Sequence, residues 1–207
     1  ALTRTDDTST QRLSFKPRWE LPYTSPDGDV YRVFASVQGD LYSVNDVQES
    51  DAPENTISGV TGRLFPQVGM DWRLPLIRSS EGFSQLIEPM IGFVAAPKSQ
   101  NHDLIPNEDS LSLEFDDTNL FSSNRFSGLD RVEGGTRINY GLHSGVFGLG
   151  GGFSSFFFGQ SYRITDDNDF GEGTGLEDHF SDFVGRIRIQ PRRFISALYR
   201  FRLDKDD

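Results

Sequence analysis

Between Arg63 and Ile77 the chain alternates oily and polar side chains. One parity holds Leu64, Pro66, Val68, Met70, Trp72, Leu74 and Leu76; the other holds Arg63, Phe65, Gln67, Gly69, Asp71 and Arg73. A period of two marks a strand with one oily face. The run is about twice the ~5–6 residues of an ordinary soluble strand. At about 3.3 Å per residue, it suits a tilted crossing of a hydrocarbon layer.

The split recurs along the chain. Residues 12–23 set Leu13, Phe15, Trp19, Leu21 and Tyr23 against Arg12, Ser14, Lys16, Arg18 and Glu20. Residues 31–42 set Tyr31, Val33, Val37 and Leu41 against Arg32, Ser36, Gln38 and Asp40. Residues 85–97 set Ile87, Pro89, Ile91 and Phe93 against Gln85, Glu88 and Gly92. Further on, Val132, Thr136, Ile138, Tyr140 and Leu142 alternate with Arg131, Glu133, Arg137, Asn139 and His143. Ile187 and Ile189 oppose Arg186 and Arg188, and Tyr199 and Phe201 oppose Arg200 and Arg202. Residues 153–164 leave their sidedness open, because Phe153, Phe156, Phe157 and Phe158 occupy both parities. With no convincing helical period, the pattern predicts an all-β, antiparallel up-and-down meander of about eight long strands.

Connections alternate too. Short turns at 26–28, 79–82, 148–152 and 190–192 alternate with long loops at about 47–59, 99–128 and 166–181. In a meander this places every short turn on one side and every long loop on the other, as in transmembrane β-barrels. A soluble sandwich or lipocalin-type barrel also has one oily face. It could not bury Arg63, Asp71, Glu88, Arg137 and Arg186 unpaired at mid-strand, whereas a water-filled lumen could. Trp19, Tyr23, Trp72, Tyr140 and Tyr199 sit on the oily parity, where interfacial girdles are expected.

Composition removes other classes. Twenty Lys and Arg against 31 Asp and Glu give a net charge of −11, which argues against a nucleic-acid partner. The absence of Cys excludes thiolate catalysis and Cys-based metal sites. The longest oily stretch, 86–97, is interrupted by Glu88 and is too short for a membrane helix. His102, His143 and His179 are scattered, and no Ser is pinned beside one, so neither a metal site nor an enzyme is expected. Residues Asp166 to Glu177 approach a calcium loop but place Phe170 at a ligand position. No cofactor is expected. The long loop from Ser99 to Gly128, dense in carboxylates, Asn and Phe, reads as a folded lid or plug.

That loop and its continuation carry a resemblance. Ile105-Pro106-Asn107-Glu108-Asp109-Ser110, Phe115-Asp116-Asp117-Thr118-Asn119-Leu120-Phe121 and Asn124-Arg125-Phe126-Ser127-Gly128-Leu129-Asp130-Arg131-Val132-Glu133 resemble the outer-membrane LPS-assembly protein LptD family (organic solvent tolerance family). Gly159-Gln160-Ser161-Tyr162-Arg163 and Arg63-Leu64-Phe65-Pro66-Gln67 are similar to that family's barrel. The resemblance implies that residues 1–207 form part of one outer-membrane barrel domain, a section of a larger protein. It implies transport and insertion of lipopolysaccharide at the outer membrane, an LptE-like lipoprotein plug, and a periplasmic transport bridge reached through an N-terminal domain. A porin or adhesin barrel is the alternative. The expected lumen ligand-binding residues are Arg63, Arg73, Glu88, Arg137, Arg163, Arg186 and Arg188. The alternative role for such arginines is pairing with Glu20, Asp40, Asp71, Glu88, Glu133 and Asp182. The expected plug residues are Asn107, Glu108, Asp109, Phe115, Asp116, Asp117, Asn119 and Arg125.

Overall fold

The computed structural model describes residues 9–48, 56–101, 105, 107–110, 113–166, 169–192 and 194–205. Its strands are β1 (Ser9–Phe15), β2 (Arg18–Thr24), β3 (Val30–Gln48), β4 (Thr56–Arg73), β5 (Leu76–Ser80), β6 (Phe83–Ala95), β7 (Thr136–Gly148), β8 (Phe153–Arg163), β9 (Phe183–Arg192) and β10 (Ile195–Leu203). All ten lie in one antiparallel sheet, ordered β1-β3-β4-β6-β7-β8-β9-β10, with β2 also on β3 and β5 also on β6. The sheet does not close on itself.

Eight rows become ten strands because proline interrupts two of them. β1 and β2 lie end to end along β3, with the break at Lys16 and Pro17. β4 and β5 lie end to end along β6, where Arg73 faces Met90 and Leu76 faces Ile87. Pro75 and Pro89 both lie at that second break, and neither has an N–H to give the ladder. One backbone bond, Leu74 N–H to Pro89 O at 3.1 Å, crosses it.

Burial is inverted relative to a soluble domain. Leu64 is 65% exposed, while its neighbours Arg63 and Phe65 are 3% and 1% exposed. Leu13, Trp19, Leu41, Val68, Ile87 and Ile91 share the exposed face, while Ser36, Gln38, Asp40, Gln67, Glu88, Arg137 and Asn139 are buried on the other. Oily side chains that stand outward along alternating antiparallel strands are the pattern of a barrel wall that faces lipid.

Three local expectations change, at Gln85, at the start of β7 and at Tyr140, and the open sidedness of β8 resolves. Gln85 shares the exposed parity of Ile87, its i+2 neighbour, and stands outward. β7 starts at Thr136 instead of Val132, because Gly135 adopts φ 81° and turns the chain, leaving Val132 and Glu133 buried in the preceding loop. In β8, Phe157 points inward and is buried, whereas Phe156 and Phe158 stack outward on each other. Tyr140 also sits well inside β7 rather than at its end.

The sidedness makes a graded prediction. In the full-length protein, Leu64→Arg, mid-way along β4, should cost about 2–4 kcal/mol of folding stability in lipid vesicles. Ser80→Arg, beside the short turn, should cost roughly 0–1 kcal/mol. Equal costs in a denaturant titration would contradict a lipid-facing wall.

Candidate functional site

Both long connections that are largely described, 96–135 and 164–182, fold back onto the polar face of the sheet. Their oily residues Phe115, Leu120, Phe170 and Leu176 form one cluster with Phe157 of β8 and Val184 of β9. A second cluster joins Ile105 to Tyr42 and Val44 of β3. Gly159 of β8 permits the close approach: a Cβ there would stand 2.5 Å from Leu120 Cδ2. The loops therefore make a plug against the inner wall.

Ion pairs and carboxylate-to-backbone bonds fix where the plug sits. Arg63 of β4 donates from Nε and Nη2 to Asp40 Oδ2 at 2.9 and 2.5 Å. It also donates to Asp130 O at 2.8 Å, Leu129 O at 2.6 Å and Asn101 Oδ1 at 3.2 Å. All five guanidinium donors are thus used, three of them on the plug. Asp109 and Asp130 cap each other's backbone. Asp109 Oδ1 accepts from the Asp130 N–H at 3.0 Å, and Asp130 Oδ2 accepts from the Asp109 N–H at 3.1 Å. Both carboxylates also take Arg12 Nη1 of β1, at 2.7 and 2.6 Å, and Tyr42 Oη donates to Asp130 at 3.0 Å. Gly128, at φ 78°, leaves room for Asp109, which a Cβ would meet at 2.4 Å.

On the other flank, buried Glu133 lies between two arginines. Arg125 Nε donates to its two oxygens at 3.1 and 3.0 Å, and Arg137 Nη1 of β7 stands 3.2 Å away. Arg137 Nη2 donates to the carbonyls of Ser122 and Ser123 at 2.8 and 2.7 Å. Arg125 also lies over the rings of Phe115 and Phe170, 5.6 Å from each centroid. At the far edge Asp117 pairs with both Arg186 of β9 and Arg200 of β10 at 2.9 Å.

The structure brings most of the expected residues together. Arg63, Arg137 and Arg163 are buried under the plug, and Arg163 donates to Leu176 O. Arg73 and Glu88 stand 3.8 Å apart on the wall, where Glu88 also lies 3.3 Å from His143 Nδ1. Arg188 is placed away from the plug, over the ring of Phe153. Each carboxylate named as a wall partner has an arginine: Glu20 with Arg18, Asp40 with Arg63, Asp71 with Arg32, Glu88 with Arg73, Glu133 with Arg137 and Asp182 with Arg202.

Several plug residues cap the plug's own backbone. Asn107 Oδ1 accepts from the Ser110 N–H at 3.1 Å, and the Glu108 N–H donates to Asp130 at 2.9 Å. Asp116 caps the Thr118 N–H at 2.7 Å, while Asn119 accepts from the Asp116 N–H at 3.1 Å. His102, Pro106, Asp167 and Asn168 lie outside the described residues. Among the described residues no group of three His, Asp or Glu is placed to hold a metal ion. The sequence reading missed Asn101 and Asp130 as anchors, and the inward aromatic Phe34; Phe65 it had placed on the polar parity. Asn101, whose side-chain amide pairs with both backbone groups of Val132 at 3.0 and 2.9 Å, carries no spacing signal.

Electrostatics follow from these contacts. Burial alone would raise the Glu133 carboxyl, but Arg125 and Arg137 overcome it and hold the pKa below the ordinary value. Asp109 is likewise lowered: burial opposes, and the Asp130 and Leu129 N–H groups and Arg12 prevail. Asp169, which accepts from the Gly134 N–H at 2.8 Å, is raised by burial. Between plug and wall a polar cleft of 460 Å³ remains, lined by Lys16, Arg18, Arg32, Ser122, Ser123 and Asn124 among others. Its cations and its amide and hydroxyl groups can receive an anionic, hydrogen-bonding group.

The family model for the LPS transport system D (LptD) matches residues 1–207. The LPS-assembly protein LptD of Nitrosomonas europaea is 27% identical over 182 residues, 85% of this chain and 24% of that protein. The protein of the same name from Idiomarina loihiensis is 33% identical over 101 residues, covering 47% and 13%. That from Escherichia coli K12 is 24% identical over 150 residues, covering 70% and 19%. The chain spans less than a quarter of the length of these curated relatives.

Removing the central carboxylate tests the plug. Glu133→Gln strands two buried guanidinium groups and should cost about 3–5 kcal/mol, read as a lower thermal midpoint and faster proteolysis within 96–135. A pH prediction follows from the lowered carboxylates. Their stabilisation is full above the ordinary carboxylate range and is lost as pH falls through the depressed native values. Protease resistance of the plug should therefore persist to about pH 4 and fail only in stronger acid. Loss of resistance already at pH 6 would contradict the assignment.

Proposed function

Because the chain belongs to the LptD family, we propose that it is a stretch of outer-membrane barrel wall, with its in-folded plug, in a protein that inserts lipopolysaccharide into the outer leaflet. The observation that carries this reading is the filled polar interior: the wall faces lipid outward, while buried ion pairs hold a folded loop against it inward. An open diffusion pore leaves its lumen to water, so the filled face weighs against the porin or adhesin alternative. The role is transport and assembly without catalysis.

The cargo sets opposite demands. Acyl chains must avoid water, while a phosphorylated glycan needs a polar route. The inward face supplies that route, with the Lys16, Arg18 and Arg32 cleft beside the plug as its polar passage. At rest the plug blocks leakage, and it yields where it meets the wall through solvated groups. The Arg18 Nη1 bond to Ser123 Oγ, 3.1 Å long and exposed, is such a contact. Arg63, Arg137, Arg163 and Arg186 hold the plug, while Arg73, Arg188 and Glu88 remain on the wall for cargo. The proposed partners of the whole protein are lipopolysaccharide, an LptE-like lipoprotein that completes the plug, and a periplasmic bridge that delivers cargo.

A reversible tether tests this. Tyr42→Cys with Ile105→Cys, two side chains of one buried cluster, would pin the plug to β3 in a chain that has no other Cys. Surface lipopolysaccharide, read by accessible labelling, should fall on oxidation and recover on reduction. Undiminished delivery with the tether formed would overturn a yielding plug.

A further inference from the structure

Outside the two clusters beneath the plug, the inner wall also carries oily side chains toward its short-turn end: Ile77 and Leu86 on β5 and β6, and a group on β7 to β10. There Phe147, Phe153 and Leu198 point inward, by the same register that turns Arg137 and Arg163 inward, and none of them belongs to the buried clusters. Phe147 is 40% and Leu198 50% exposed. They line a pocket of 280 Å³ together with Arg186, Arg188 and Arg200.

The cations are not equivalent. Arg186 and Arg200 are cross-strand partners that share Asp117, at 2.9 Å each. Among the described residues no carboxylate pairs with Arg188; its guanidinium lies 5.1 Å from the centroid of Phe153, which in turn stacks on Phe147 at 6.0 Å. An arginine pinned flat by an aromatic ring keeps its planar fork of donors for an oxyanion. An inorganic anion gains nothing from Phe147 and Leu198, and a neutral lipid gains nothing from three arginines.

We propose that this pocket binds a phosphorylated, acylated amphiphile, with Arg188 on the phosphate and Phe147 and Leu198 against the first part of an acyl chain. The inference rests on the transport reading above and deepens it by assigning a station to cargo on the wall beside the plug's Asp117 contact.

The test uses the full-length protein in detergent and three probes: diphosphorylated lipid A, its dephosphorylated counterpart and inorganic phosphate. Arg188→Ala should weaken binding of diphosphorylated lipid A about tenfold, the loss of one charge-assisted contact. Arg188→Glu should weaken it further, and Arg188→Lys should restore part of it. Arg78→Ala, on the exposed side of β5, should change nothing, and heat-modifiable gel mobility reports that each variant folds. Unchanged affinity in a folded Arg188→Ala protein overturns the site while leaving the transport reading intact. Displacement by inorganic phosphate at equal concentration overturns the amphiphile assignment. Failure of the wild-type protein to bind lipid A at all counts against the transport reading itself.

Discussion

A strand whose outward residues must meet hydrocarbon can place its ionic groups only on the inner face. That constraint organises the molecule. It explains why Leu64 stands exposed between two buried neighbours, and why charge recurs at mid-strand in β3, β4, β6, β9 and β10. It also sets the problem that the long loops solve, because an inner wall rich in Arg, Asp and Glu needs partners of opposite sign.

Buried ion pairs are seldom strong net contributors, since desolvation offsets their attraction. Their value here is geometric. Arg63 can satisfy its five donors only with Asp40 on the wall and the 101, 129 and 130 positions of the plug all in register. Glu133 similarly ties the plug's own Arg125 to β7 through Arg137. Oily packing around Leu120 and Phe115 supplies adhesion, while these ionic contacts select one position. The same arrangement leaves the Lys16 side of the wall less tightly engaged, which is where a polar cleft remains.

Much of the wall was legible because parity in a strand is a one-dimensional signal. The rows, the inverted sidedness and the alternation of short and long connections can be read without knowing any partner. Errors arose where a local exception overrides the period. Pro17 and Pro75 split two rows, and Gly135 ended a run that pattern alone would carry back to Val132. The four phenylalanines of β8 could not be sorted, because Phe153 and Phe157 share the inward parity of Arg163, where the plug rather than water receives Phe157. The plug segment itself was recognisable by its motifs. Its anchoring was not: the reciprocal capping of Asp109 and Asp130 spans 21 positions, and nothing in spacing links either residue to Arg12.

The central claim is that a plug held by these ionic contacts closes an otherwise polar passage. Single-channel conductance of the full-length protein in planar bilayers tests it most directly, comparing the intact chain with one in which residues 99–133 are replaced by a short Gly/Ser linker. The account predicts a quiet baseline for the intact protein and sustained, ion-conducting openings once the loop is gone. Equal conductance in the two proteins, with both folded, would contradict it.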